Sequence, residues 1–202
     1  MRQRTSKLMR FVRRHARRFG AWATSLAVLC SAPVALRGQT AVSVEYRIKA
    51  QFLANFLKFI EWPPNALGND NSPFWMCSTG YFPFGTALAE STRGELVRGK
   101  RIEIRWIRNS AELRSCQVLF VSESEAKNYQ KILTNIHGAA ILSVGETPDF
   151  LDAGGTVAFF FQEKALQFDV NLSAANAAGL KISARLLSVA RHVIGVAVSA
   201  KN

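Results

Sequence analysis

Residues 46–63 read YRIKAQFLANFLKFIEWP and contain the clearest helical pattern in the chain. Apolar side chains recur at every fourth position, which is the spacing of the buried stripe of an amphipathic helix: Ile48, Phe52, Phe56 and Ile60. Ser43 is suited to cap the N-terminus of this helix, and Pro63 and Pro64 should end it, because proline has no backbone N–H. The sequence therefore predicts a first, buried helix that runs to the prolines.

Six later stretches predict β-strands. Residues 101–108 (RIEIRWIR) alternate between apolar and charged side chains, so we expect a strand with one solvated face and with Trp106 on the apolar face. The other five are mainly short apolar runs typical of buried strands: 73–79, 116–122, 139–144, 156–161 and 165–171. The last two flank a short polar turn and predict a hairpin.

Shorter helices are predicted between and after these strands, at 83–92, 122–135, 147–151, 173–178 and from Ser183 to Arg191. Strands and helices alternate early in the chain, whereas the later strands are close enough to pair locally. This order predicts the α/β class: a single domain with a mixed β-sheet of about six strands flanked by helices.

The positive charge of the chain is concentrated at its start. The formal net charge is +12, and residues 1–38 hold nine Lys or Arg and no acid, which leaves +3 for the rest. A basic arm of this kind could bind nucleic acid. However, the apolar run 21–36 follows it directly, and that order is typical of a secretory signal peptide. We therefore expect a signal peptide over 1–38, cleaved between about 36 and 42 or retained as an anchor, and an exported domain over 41–199 that does not bind nucleic acid.

Two cysteines remain after the signal, Cys77 and Cys116. An even number of cysteines in an oxidising compartment favours a disulfide, and two buried free thiols are the alternative.

We find no catalytic signature in the sequence: no phosphate-binding loop, dinucleotide fingerprint or nucleophile elbow. His137 and His192 lie far from other metal-ligand residue types, so we interpret them as surface or helix-end residues and expect neither a metal nor a cofactor. Asp169 is unusual because it lies within an apolar strand. It could form an ion pair near the sheet edge with a nearby cation, or belong to a polar patch that binds a ligand or partner.

Six motifs in order resemble the YfiR/HmsC-like family of exported regulators: the first helix, Cys77 in a strand, GKRIEIRWI (99–107), CQVLFVSESE (116–125), ILSVGETPDFLDAGGTVAFF (141–160) and FDVNLSAANAAGLKISARLLSVAR (168–191). The resemblance implies a periplasmic α/β protein that is not an enzyme. It also implies that the protein binds the periplasmic sensor domain of an inner-membrane diguanylate cyclase and represses it, which lowers cyclic di-GMP and biofilm formation. An outer-membrane lipoprotein and a second copy of the chain are further partners that it implies.

The resemblance also assigns residues. Cys77 and Cys116 match the structural disulfide of the family, and the second cysteine pair of some relatives has no counterpart here. Asp169 stands where relatives usually have Glu, and Asn171, Lys181 and Arg185 match the polar positions of the closing motif. These four residues are the candidates for partner or ligand binding.

A small-ligand-binding module without a cyclase partner is the alternative function. Its pocket would be lined by aromatic residues, for which packing in the core is the simpler interpretation: Phe52, Phe56, Trp62 and Trp75.

Overall fold

The computed structural model describes residues 42–69, 71–162 and 165–195. These residues belong to one unit, Ala41–Asn202. The predicted signal peptide lies outside the described residues.

The described residues form ten strands. Eight of them make one mixed sheet: β2 (Phe74–Thr79), β3 (Leu96–Val97), β4 (Lys100–Ile107), β5 (Val118–Val121), β6 (Leu142–Gly145), β7 (Val157–Gln162), β8 (Ala165–Asn171) and β10 (His192–Ile194). The order across this sheet is β10-β8-β7-β6-β5-β2-β4-β3. Two further strands, β1 (Ile60–Glu61) and β9 (Lys181–Ile182), pair with each other in antiparallel orientation. The α/β class and the mixed sheet are confirmed, and the main sheet has two strands more than the predicted six.

Six α-helices connect or flank the strands: α1 (Val44–Phe56), α2 (Ala87–Ser91), α3 (Tyr129–Ile136), α4 (Pro148–Asp152), α5 (Leu172–Ala177) and α6 (Ala184–Leu187). Four short 3₁₀-helices accompany them: Leu57–Phe59, Pro64–Leu67, Ser110–Ser115 and Glu123–Asn128.

The first helix begins where the sequence predicted and ends earlier. The Ser43 hydroxyl accepts a hydrogen bond from the Tyr46 N–H at 3.3 Å, which confirms the N-cap. The prediction that the helix runs to the prolines was wrong. After Phe56 the chain tightens into a 3₁₀ turn and then extends, because Ile60 pairs with Ile182 in β1 and β9.

The last predicted helix is also shorter than expected. Ser183 caps α6 by accepting the Leu186 N–H at 3.3 Å, but α6 ends at Leu187 and Arg191 does not lie in it. His192 is a surface residue, as predicted, but it does not end a helix: it begins β10 and pairs in parallel with Asp169. The Arg191 N–H donates to the Phe168 carbonyl at 2.8 Å, so the chain is already bound to β8 at this point.

The sheet has a hydrophobic cluster on each face. On one face Phe56 of α1 packs edge-on against Phe159 and Phe168, with ring centroids 5.5 Å and 4.8 Å apart. On the other face Tyr129 of α3 packs against Phe150 at 5.0 Å. The disulfide belongs to this second cluster.

Five neighbouring strands of the sheet are parallel, in the order β4-β2-β5-β6-β7. β2 comes first in the chain. From it the chain crosses to β4 on one side and then returns to β5 on the other. The point between β2 and β5 is therefore a topological switch point, and in doubly wound α/β folds ligands bind in the crevice at the carboxyl ends of such strands.

Trp106 shares the face of β4 with Ile102 and Ile104, but it is more exposed than the apolar pattern predicted. Ile102 and Ile104 pack against the core as expected, whereas Trp106 is 46% exposed. Its indole N–H donates to the Gly80 carbonyl at 2.8 Å, and the Arg108 guanidinium lies 4.0 Å from the ring centroid. The indole is thus held at the surface by a hydrogen bond and a cation–π contact.

Candidate functional site

Asp169 lies on β8 and is almost fully buried. Arg191 binds its carboxylate with two hydrogen bonds, from Nε to Oδ1 at 2.9 Å and from a terminal nitrogen to Oδ2 at 2.7 Å. The backbone N–H of His192 donates to Oδ1 at 3.1 Å, and the Nδ1 of the same residue lies 3.3 Å from that oxygen. The Asp169 carboxylate therefore fastens the edge strand β10 to β8.

The electrostatic balance at Asp169 favours the charged form. Burial alone raises the pKa of Asp169, but hydrogen bonds from Arg191 and His192 outweigh this effect and hold the pKa below its ordinary value. A carboxyl group whose pKa is lower in the folded chain stabilises the fold above its unfolded pKa of about 3.9, and this stabilisation is lost as the pH falls through the folded value.

We expect Asp169→Asn to lower the free energy of unfolding at pH 7 by about 2 kcal/mol, since it removes a bidentate ion pair whose arginine is partly screened by solvent. The difference from wild type should shrink below about pH 4, where the carboxyl group of the unfolded chain takes up a proton, and vanish below the lower pKa of the folded chain. Urea unfolding at both pH values measures the effect, with Asp152→Asn on the exposed side of α4 as the control. A pH-independent difference would contradict the ion-pair explanation.

The other three candidates have different surroundings. Asn171 is half-buried, and its side-chain oxygen accepts the Ala174 N–H at 3.0 Å, so it caps α5. Lys181 and Arg185 are exposed. Lys181 lies on β9 opposite Glu61, and the Arg185 guanidinium lies 5.8 Å from the centroid of Phe59.

The structure thus separates the four candidates into two groups. Asp169 and Asn171 use their side chains within the fold. Lys181 and Arg185 present two cations to solvent, on a segment fixed by the Ser183 N–H, which donates to the Phe59 carbonyl at 2.9 Å. Within the part of the chain that the structure describes, neither cation is an ion-pair partner of Asp169.

A second polar cluster, which the sequence did not indicate, lies at the carboxyl ends of β5 and β6. Lys49 of α1 is buried, and its Nζ lies 2.7 Å from Oε1 of Glu146 and 2.5 Å from the Glu45 carboxylate. The other oxygen of Glu146 accepts the Glu123 N–H at 3.0 Å. Burial, followed by the charge of Glu146, raises the pKa of Tyr46, which keeps this phenol neutral.

This cluster lies beside the switch point, where the two flanking loops close on each other. The Tyr81 N–H donates to Ser124 Oγ at 2.8 Å. Gly80 has φ +82°, and a Cβ placed on it would lie 2.6 Å from the same oxygen. The two loops that border this crevice are therefore joined by a hydrogen bond and approach closely at Gly80.

The aromatic residues of the alternative ligand pocket contribute mainly to the core. Phe56 and Trp62 are buried, Phe52 packs against Phe56 and Phe159, and Trp75 is covered by the Arg105 guanidinium at 3.6 Å. The Trp62 indole N–H donates to the Gln117 carbonyl at 3.2 Å. These contacts account for the positions of the four aromatic rings by packing within the protein.

Cys77 and Cys116 form a disulfide, with Cα atoms 5.9 Å apart. Among the described residues, no group of three or more His, Cys, Asp or Glu side chains is arranged to hold a metal ion. Within the same ranges, none of the helices combines the length and the apolar character that crossing a bilayer requires.

Comparison with known proteins identifies a family and a fold. A sequence profile described as YfiR/HmsC-like matches residues 46–191, which is well over half of the chain. No curated protein matches the chain.

Two solved structures are similar to the chain at 12% sequence identity. One is an ABC domain in complex with L-Trp from Streptococcus pneumonia, with a TM-score of 0.50 over 72% of this chain and 60% of that chain. The other is a conserved domain protein from Vibrio cholerae O1 biovar eltor, with a TM-score of 0.46 over 73% of this chain and 60% of that chain. The chain therefore spans about 60% of the length of each, and the first likeness supports the α/β fold alone.

Proposed function

The chain belongs to the YfiR/HmsC-like family, and we propose on this basis that it is an exported periplasmic regulator of a diguanylate cyclase. In this proposal the protein binds the periplasmic sensor domain of the inner-membrane cyclase and represses it. Less cyclic di-GMP is then made, and biofilm formation is restrained. The observation that carries the proposal is the family match over 46–191, which includes nearly every described strand and helix.

The proposed chemistry is recognition without catalysis. A regulator that binds one state of a sensor more tightly than another shifts the sensor toward that state by the difference in binding free energy. The disulfide is consistent with a protein that works in an oxidising compartment. An outer-membrane lipoprotein that sequesters the regulator, and a homodimer, belong to the same proposal.

Deleting the gene should raise cellular cyclic di-GMP, and a plasmid copy should restore the lower level. Cyclic di-GMP is measured in extracts by mass spectrometry. Deletion in a strain that also lacks the cyclase is the control, and there the level should not change. An unchanged level in the strain that retains an intact cyclase would refute the proposed function.

Lys181 and Arg185 are the proposed contact residues of the closing motif, because they are exposed on a fixed segment. Their two positive charges suit an acidic surface of the sensor domain. Asp169 and Asn171 support this surface by holding β10 and α5 in place.

We expect Lys181→Glu to weaken binding of the purified sensor domain by about tenfold at moderate salt, since a favourable charge contact becomes repulsive. Calorimetry or surface plasmon resonance gives the Kd, and the melting temperature should stay unchanged. Lys127→Glu makes the same charge change at another exposed lysine and should retain wild-type affinity. Equal affinities for the two variants would show that Lys181 is misassigned.

A further inference from the structure

β4 is only partly covered at the edge of the sheet. It has eight residues, and β3 pairs only with the first two, Lys100 and Arg101. Before β3, Glu95 binds the ammonium of Lys58 at 3.0 Å, and Lys58 lies in the 3₁₀ helix that follows α1. Within the described ranges, no hydrogen bond from outside the β-ladders reaches the backbone of 102–107. This part of β4 is an open strand edge.

The direction of the open backbone groups follows from the turn that precedes them. Arg98 and Gly99 have φ of 50° and 79° and join β3 to β4 as a two-residue hairpin, in which Val97 and Lys100 are the closing, hydrogen-bonded pair. Backbone groups alternate in direction along a strand, so Ile102, Ile104 and Trp106 also direct their N–H and C=O groups outward. By the same alternation, Glu103, Arg105 and Ile107 direct their backbone groups toward β2, which pairs with β4 along 102–107.

The two sides of this edge differ in chemistry. Ile104, which packs against the core, and the exposed Trp106 lie on one side. Arg101, Glu103 and Arg105 lie on the other side, where Glu103 has only a distant, exposed contact with Arg101 at 3.8 Å. An added strand would fit best if apolar side chains met the first side and acidic side chains met the arginines.

The cations at this edge are already held in position. The Arg105 guanidinium stacks on Trp75 at 3.6 Å, and that of Arg108 stacks on Trp106 at 4.0 Å. No carboxylate of the described residues forms an ion pair with either arginine. Trp and Arg are the residue types that most often dominate binding energy at protein interfaces.

A second copy of β4 does not fit this edge well. Antiparallel pairing centred on Ile104 would place Ile107 of the second copy opposite Arg101, where Leu96 of β3 already lies. If the second copy is shifted by two residues so that it no longer overlaps β3, Arg105 of one copy lies opposite Arg105 of the other. Like charges directly opposite each other destabilise a strand pair.

We propose that the open edge of β4 binds an extended segment of the cyclase sensor domain, with alternating apolar and acidic side chains, as an added β-strand. The outward backbone groups of Ile102, Ile104 and Trp106 supply the hydrogen bonds, and Arg105 selects the acidic side chains. This inference rests on the proposed function and names the way in which the partner is held. Charged residues on an edge strand also discourage aggregation, so the test must separate protection of the edge from binding.

The test is binding of the purified sensor domain by the full mature chain and by four variants. Ile104→Pro removes an outward N–H and leaves the β2 ladder intact, and we expect it to weaken binding at least tenfold. Ile104→Ala removes more side-chain packing but keeps the N–H, so it should stay within about threefold of wild type. Arg105→Glu should weaken binding about tenfold, whereas Arg47→Glu, on the exposed side of α1, should have no effect.

Hydrogen exchange of the wild-type complex provides a readout that needs no variant to fold. The amides of Ile102, Ile104 and Trp106 should exchange at least tenfold more slowly when the sensor domain is bound. Unchanged exchange, or equal affinity of Ile104→Pro and Ile104→Ala, would overturn the edge proposal while leaving the proposed function in place. Absence of wild-type binding would overturn both. Self-association abolished by Ile104→Pro would instead assign the edge to a second copy.

Discussion

Lys49→Met is expected to lower the free energy of unfolding by about 3–5 kcal/mol, because it leaves the buried carboxylate of Glu146 without its cation. The side chains of Lys49 and Glu146 are 4% and 3% exposed, so solvent cannot replace the lost partner. Methionine keeps nearly the length of lysine, which limits the contribution of a cavity. Urea unfolding at neutral pH measures the change as a lower midpoint.

The double variant Lys49→Met/Glu146→Leu separates the cost of the unpaired charge from the value of the pair. A buried ion pair replaced by apolar residues of similar size is often nearly neutral in stability. We therefore expect the double variant to recover most of the loss, although Glu45 and the Glu123 N–H lose a partner in it. A loss below about 1 kcal/mol in the single variant would mean that solvent compensates for the unpaired charge of Glu146.

The position of this ion pair gives it a role in the fold. Lys49 is on α1, whereas Glu146 follows β6, and 97 residues separate them in the chain. The pair joins the first helix to the carboxyl ends of the central parallel strands. It lies beside the part of the fold in which doubly wound proteins hold a ligand.

The longer elements could be predicted from the sequence because their apolar spacing reports which side is buried. The alternation of 101–108 predicted β4, and the apolar pattern after Ser43 predicted α1. Helix ends were less predictable. The chain leaves α1 to form β1, and β1 pairs with β9, which lies in a distant segment of the chain. The short strands β1, β3, β9 and β10 have two or three residues each, too few for a periodic pattern.

The contacts around the candidate residues were less predictable than the elements. Asp169 stood out because it lies on an apolar strand, but its partner Arg191 follows 22 residues later and meets it only through the parallel pairing of β8 and β10. Lys181 and Arg185 are closer in sequence and do not bind it. The open edge of β4 depends on strand order and on the shortness of β3, which are properties of the assembled sheet.

Removing the disulfide is the second change with a large expected effect. Cys77 and Cys116 are 39 residues apart in the chain, and a crosslink of that span restricts the unfolded chain by about 4 kcal/mol in the loop-entropy description. Both residues are buried, in the cluster that α3 and α4 cover. The double variant Cys77→Ala/Cys116→Ala should therefore lose about 4 kcal/mol of unfolding free energy and shift the urea midpoint accordingly.

Unfolding of the wild-type chain in urea with dithiothreitol is the matched control. If the effect comes from the crosslink, reduced wild type and the double variant should unfold at similar urea concentrations, both well below oxidised wild type. Equal midpoints for the oxidised chain and the double variant would show that the bond adds little to stability.

Since Cys77 lies on β2 opposite Arg105 of β4, the same samples also show whether the crosslink affects the open edge. If the folded double variant binds the sensor domain with unchanged affinity at low temperature, the disulfide contributes to stability and not to binding.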